Sequence, residues 1–216
     1  MQESNSIQAT RVLSIIAGAL AIIAGLAFLV NGLQALLSVN GPLSVDEIIS
    51  ASATILMGAV FFVGGTESLF SYFRTKESKF QIYLPIVVLG LQAVVWTVHF
   101  ILLSVDQVES GLVNARNNLI FLLVFGFAGI FFSVMSWRQK EGVFKTILAL
   151  IGLVIAGVAF LVGFPHFVDT ATVVGYIFGT QVFILMFLAC LLTVIFKRKE
   201  EQAKQQPEEL EEPEEK

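Results

Sequence analysis

Apolar positions in this chain do not alternate with polar ones. They gather into six unbroken stretches, which we place at 12–37, 48–72, 80–104, 118–137, 143–164 and 171–196. Each is near the roughly 20 helical residues, at about 1.5 Å rise, that a bilayer's hydrocarbon layer requires. A segment in lipid must satisfy its backbone internally, which leaves helices or a closed barrel. Barrel strands alternate in polarity over roughly ten residues, whereas runs such as 22–30 and 147–162 are continuous. The pattern predicts an all-α polytopic membrane bundle of six transmembrane helices, readable as three consecutive helical hairpins.

Charge adds an orientation. Of the bases, Arg11 precedes the first stretch, Arg74, Lys76 and Lys79 follow the second, and Arg138, Lys140 and Lys145 follow the fourth. Lys197, Arg198, Lys199, Lys204 and Lys216 follow the sixth, and Arg116 alone falls in the other connections. Under the positive-inside rule both termini face the cytoplasm of a plasma membrane. Tyr72, Tyr83 and Trp137 fall at the inner boundary and Tyr176 near the outer one, as interfacial aromatics do.

The chain then divides into a short N-terminus (1–11), a transmembrane domain (12–196) and a tail (197–216). The tail holds eight Glu and supplies much of the net charge of −4. It has too few apolar residues to offset the entropy of ordering and is expected to be disordered. The first stretch is longer than a signal peptide's apolar core and reads as a first helix. Cys190 is the single cysteine among 216 residues, so the chain forms no internal disulfide.

Residues 23–30 (Ile-Ala-Gly-Leu-Ala-Phe-Leu-Val) recur at 155–162 with one Leu replaced by Val. Either a hairpin has been copied, or a restricted apolar alphabet has repeated itself. Small residues mark packing faces, because close backbone approach drives helix association in lipid. The first helix carries Gly18, Ala21, Gly25, Gly32 and Ala35, and the fifth carries Ala149, Gly152, Ala156, Ala159 and Gly163. The sixth offers Gly175 and Gly179. Such faces pack the bundle against itself or dock another membrane protein.

Polar residues inside the stretches are the candidate functional groups, since burying them in lipid is unfavourable. Glu67 is placed one to two turns from the inner end of the second helix. It is either a carboxylate that snorkels to the inner interface or pairs with Arg11 or Arg74, or a proton- or cation-binding group of a carrier. Gln92, Trp96 and His99 share one face of the third helix. Asn31, Gln92 and Gln181 suit interhelical hydrogen bonds or an outward cavity for a small polar solute. His166 lies in the last outward connection near Asp169, and that side is acidic through Asp46, Glu47, Asp106 and Glu109. Two histidines on separate elements lack metal-ligand spacing, no phosphate loop or catalytic elbow is present, and no basic nucleic-acid surface is present. No enzyme, cofactor or metal is expected. The expected partners are the lipid bilayer and a membrane protein or second copy, with any small-molecule ligand unnamed.

The glycine-punctuated run from Ala17 and Gly18 through Gly25 to Val30, and its echo from Gly152 through Gly157 to Pro165, resemble helices of the HdeD-like membrane proteins. That resemblance implies a six-span bacterial inner-membrane unit linked to acid stress, with no site residues to carry over. The polar segment 38–47, a longer third-to-fourth connection and the Glu-rich tail depart from it. Ala17, Ala21 and Gly25 also give a first helix similar to that of the substrate-binding subunits of energy-coupling-factor vitamin transporters. That likeness implies a docking face for a shared transmembrane partner.

Overall fold

The structure is a computed structural model in which residues 2–37, 44–73, 79–105, 109–140, 142–163 and 173–209 are described. Arg74, Lys76, Asp106 and His166, with its neighbours Pro165 and Asp169, lie outside them, as do residues 210–216. The described residues form α1 (Gln2–Leu37), α2 (Val45–Phe73), α3 (Phe80–Val105), α4 (Glu109–Phe121), a π-helical turn (Leu122–Gly126), α5 (Phe127–Arg138), α6 (Val143–Gly163) and α7 (Val173–Glu209), with no strand among them. The π turn joins α4 and α5 into one rod. Six rods are therefore long and apolar enough to cross a membrane. Lys79, Arg138, Lys140, Lys145 and Lys197 all fall at or near the rod ends on one side, here termed the basic end.

The helix pair in most extensive contact is α1 and α2. Gly18, Gly25 and Gly32 recur every seven residues on α1 and face Gly65, Gly58 and Ala51, which recur every seven in the antiparallel direction on α2. A Cβ on Gly65 would lie 2.5 Å from the Gly18 carbonyl oxygen, so backbone rests on backbone. A seven-residue step is close to two helical turns and keeps one seam facing its partner. The α1 glycine face is thus directed into the bundle, while Ala35, grouped with it by spacing, is exposed.

Aromatic rings fill the middle of the bundle. Starting near the basic end, Tyr83 and Phe80 of α3 lie 5.6 Å apart, centroid to centroid, and Phe80 meets Phe61 of α2 at 6.5 Å. Phe61 then contacts Phe28 of α1 at 5.8 Å, Phe160 of α6 at 5.9 Å and Phe183 of α7 at 6.2 Å. Tyr176 of α7 stacks on Phe160 at 5.6 Å towards the far end. These separations suit the edge-on and tilted geometries that aromatic quadrupoles favour. Phe28, Phe61, Phe80 and Phe160 have no solvent exposure.

Alternate positions of the repeated octapeptide occupy matching environments, and the positions between them do not. Ala24 and Ala156, and Phe28 and Phe160, are all fully buried, whereas Val30 and Val162 face outward. Phe28 and Phe160 meet edge to face at 6.4 Å.

Three boundaries differ from the sequence reading, and the first is α1, which begins at Gln2 and not at 12. The fourth rod begins well before 118, with Gly111 at φ +96° near its start, a left-handed conformation that glycine adopts readily. Asn114, Arg116 and Asn117 stay exposed on its surface, so the expected long third-to-fourth connection is mostly helix. The segment after 196, expected to be disordered, continues α7 as far as Glu209. Its Glu, Gln, Ala and Lys residues are good helix formers, and an existing helix removes the cost of nucleation.

Candidate functional site

Many hydroxyls in the rods donate back to a carbonyl one turn earlier in their own helix, while a few polar side chains secure joints. Ser44 and Glu47 form a reciprocal cap on α2. The Glu47 carboxylate accepts from the Ser44 N–H at 2.8 Å, and the Ser44 Oγ accepts from the Glu47 N–H at 3.2 Å. Ser68 Oγ donates to the Ser14 carbonyl at 3.1 Å across α2 and α1, and Ser136 Oγ donates to the Lys145 carbonyl at 2.9 Å across α5 and α6.

Glu67 is one of these joints. It lies between one and two turns from the end of α2, as expected. Its Oε1 accepts from the Lys79 backbone N–H at 3.0 Å and from Ser71 Oγ at 3.4 Å, and its Oε2 accepts from Tyr83 Oη at 3.4 Å. A carboxylate at the first residues of α3 satisfies an N–H with no partner inside its own helix and faces the positive end of the helix dipole. The expected partner Arg11 is exposed on α1.

Gln92 is different. It is 3% exposed, and its Nε2 has no hydrogen-bond partner among the described residues. It lines a cavity of about 10 Å3 with Trp96 of α3, Asn118 and Phe121 of α4, Leu122 of the π turn and Gly163 of α6. That volume is at the lower limit for one water molecule. The absent side chain at Gly163 keeps the space open, since a Cβ there would lie 2.9 Å from Gln92 Oε1 and 3.0 Å from Trp96 Nε1. Asn118 is buried and donates through Nδ2 to Asn114 Oδ1 at 3.3 Å, which continues the polar strip along α4. His99 lies one turn further along α3, its ring 5.7 Å from that of Trp96 and at 78° to it.

The polar groups singled out in the sequence are therefore not brought together. Gln92, Trp96 and His99 share a region as their spacing predicted. Asn31, half-buried on α1, and Gln181, exposed on α7, do not line the cavity. Asn118 was missed because the fourth helix was expected to begin there. The signal was present in Asn114 and Asn118, four residues apart and so on one helical face. The π turn, a geometry frequent beside functional sites, left no mark in the sequence that we can identify.

The small residues sort into two uses. Gly152 packs against Ser133 of α5, and Ala156 is fully buried. Gly175 and Gly179, expected to bring helices together, instead leave recesses for rings, Gly175 for Phe28 and Gly179 for Phe160. Ala17, Ala21 and Gly25 are buried, with Gly25 against Phe62 and Gly58 of α2. They present no outward face of the kind the transporter-subunit resemblance implied.

Searches against protein-family models, curated proteins and solved structures find no match to this chain.

Proposed function

We propose that this is a non-enzymatic multi-pass protein of a bacterial-type plasma membrane, with both termini cytoplasmic, that acts by packing or partner binding. Envelope or acid-stress adaptation is the setting that its resemblance to HdeD-like proteins suggests. The observation that carries the reading is the aromatic column from Tyr83 to Tyr176. Five of the six rods contribute rings to it, and the rings close the space between those rods. Its two tyrosines end in hydrogen bonds, Tyr83 Oη to Glu67 and Tyr176 Oη to the Leu161 carbonyl at 3.0 Å. Glu67 supports a helix start near the end of α2, which suits a structural part better than a transported cation.

A small-solute carrier is the second reading, favoured by the Gln92 amide and its cavity. Purified protein in sealed vesicles distinguishes the two. The first reading expects release of entrapped ions, amino acids and sugars at the rate of protein-free vesicles. Saturable uptake of any of them that Gln92→Leu abolishes supports the carrier instead.

A further inference from the structure

We infer that α7 pairs with α7 of a second copy of this chain, through a seam centred on Gln181. The inference rests on reading the protein as one that works through partner binding, and it names the partner. Gln181 is exposed on the outer surface of the bundle and has no hydrogen-bond partner among the described residues. It belongs to the membrane-spanning part of α7, Val173–Lys199, and lies five residues from its midpoint. At 1.5 Å per residue that is about 8 Å from mid-span, within the roughly 15 Å half-thickness of the hydrocarbon layer. An amide at that depth finds no water, so facing lipid is unfavourable unless something hydrogen-bonds it.

The surrounding surface has the form of a helix seam. Val174, Ile177, Gln181, Ile184 and Leu188 follow one another at steps of three, four, three and four, and the four aliphatic members are 39–53% exposed. That is the spacing by which parallel helices interlock in a left-handed pair, and one polar residue in such a seam fixes register.

The occupant follows from the amide itself. Gln carries a donor and an acceptor, so two Gln side chains related by a two-fold axis satisfy each other. A second copy inserted in the same sense brings its Gln181 to the same depth without further matching. An unrelated membrane protein would need its own hydrogen-bonding side chain at that level. Two-fold isologous pairing is also the commonest oligomeric arrangement.

The test uses the full chain in lipid vesicles. Single-molecule photobleaching is expected to show dimers that dissociate on lipid dilution. Gln181→Leu, at an exposed position, should leave helix content unchanged and weaken pairing roughly 3- to 30-fold, the range of interhelical hydrogen bonds in membranes. Independently, Ile184→Cys in a Cys190→Ala background should form an intermolecular disulfide on mild oxidation. Val94→Cys, at an outward position on α3, should not. Monomers at every dilution, undiminished pairing of Gln181→Leu, equal crosslinking at both positions, or a one-to-one complex with a different protein would each overturn the proposal. Flux measured in the same vesicles separates the two readings: dimers that transport solute would refute the proposed function and leave the pairing intact.

Discussion

Gly25 of α1 and Gly58 of α2 face each other so closely that a Cβ built on either would lie 2.8 Å from the other's carbonyl oxygen. The relationship is reciprocal, and it fixes the register of the first hairpin. Inside lipid there is little solvent-driven attraction between helices, so this contact supplies close van der Waals packing in its place.

The first prediction concerns that contact. Gly25→Ala and Gly58→Ala put a methyl group against backbone, which cannot rotate away, and each should destabilise the protein by about 1–3 kcal/mol or more. Gly90→Ala on α3 is the control, because nothing lies within 4 Å of its Cβ position. It should be neutral or stabilising by up to about 1 kcal/mol through helix propensity. Unfolding in mixed detergent micelles measures all three.

A second prediction is a rescue. A Cβ on Gly152 collides with Ser133 Oγ, and that hydroxyl is buried with no partner among the described residues. Ser133→Ala alone should be near neutral, since it removes an unpaired polar atom. Gly152→Ala alone should destabilise, and the double variant should recover most of the loss. A coupling energy of about 0.5–3 kcal/mol in the cycle is expected; simple additivity would contradict the assigned contact.

Glu67 gives the third. Glu67→Ala strands the Lys79 N–H and the Tyr83 hydroxyl and should cost about 1–3 kcal/mol. Glu67→Gln keeps a carbonyl oxygen for Lys79 and should cost less than Glu67→Ala. Equal losses for the two would mean that the negative charge, and not the capping oxygen, is what the site needs.

For the fourth, Gln92→Leu replaces a buried amide whose nitrogen lacks a partner among the described residues. Its stability should stay within about 1 kcal/mol of the native protein. A loss well beyond that would show that Gln92 is held by a bound group through bonds as strong as those of a paired buried amide.

Much of this architecture was legible before the fold. The six rods follow from run length and continuity, and the small-residue face of Gly18, Gly25 and Gly32 follows from its spacing, which left open whether it packs inward or docks a partner. The matching seven-residue rhythm of Ala51, Gly58 and Gly65 was equally present, but it carries meaning only once α2 is known to run antiparallel to α1 in that register. The 20 Phe residues could not be sorted by sequence. Phe61 is buried and Phe70 is 62% exposed, yet both sit in uniformly apolar stretches. Lipid and protein interior are similarly apolar, so hydropathy does not separate core from surface here. For the candidate site, the spacing of Gln92, Trp96 and His99 was readable. The contribution of Asn118, the gap left by Gly163 and the separation of Asn31 and Gln181 from the cavity depend on helix neighbours that no single helix encodes.

The central claim is that the bundle interior is closed. The native Cys190 probes it without any substitution, being 2% exposed inside α7, with its Sγ 3.3 Å from Gln81 Oε1 of α3. Intact protein in vesicles, treated with a small membrane-impermeant thiol reagent from either side, should stay unlabelled until it is denatured, and then label fully. Rapid labelling of the folded protein from one side would reveal a water-filled path to the core and contradict the account.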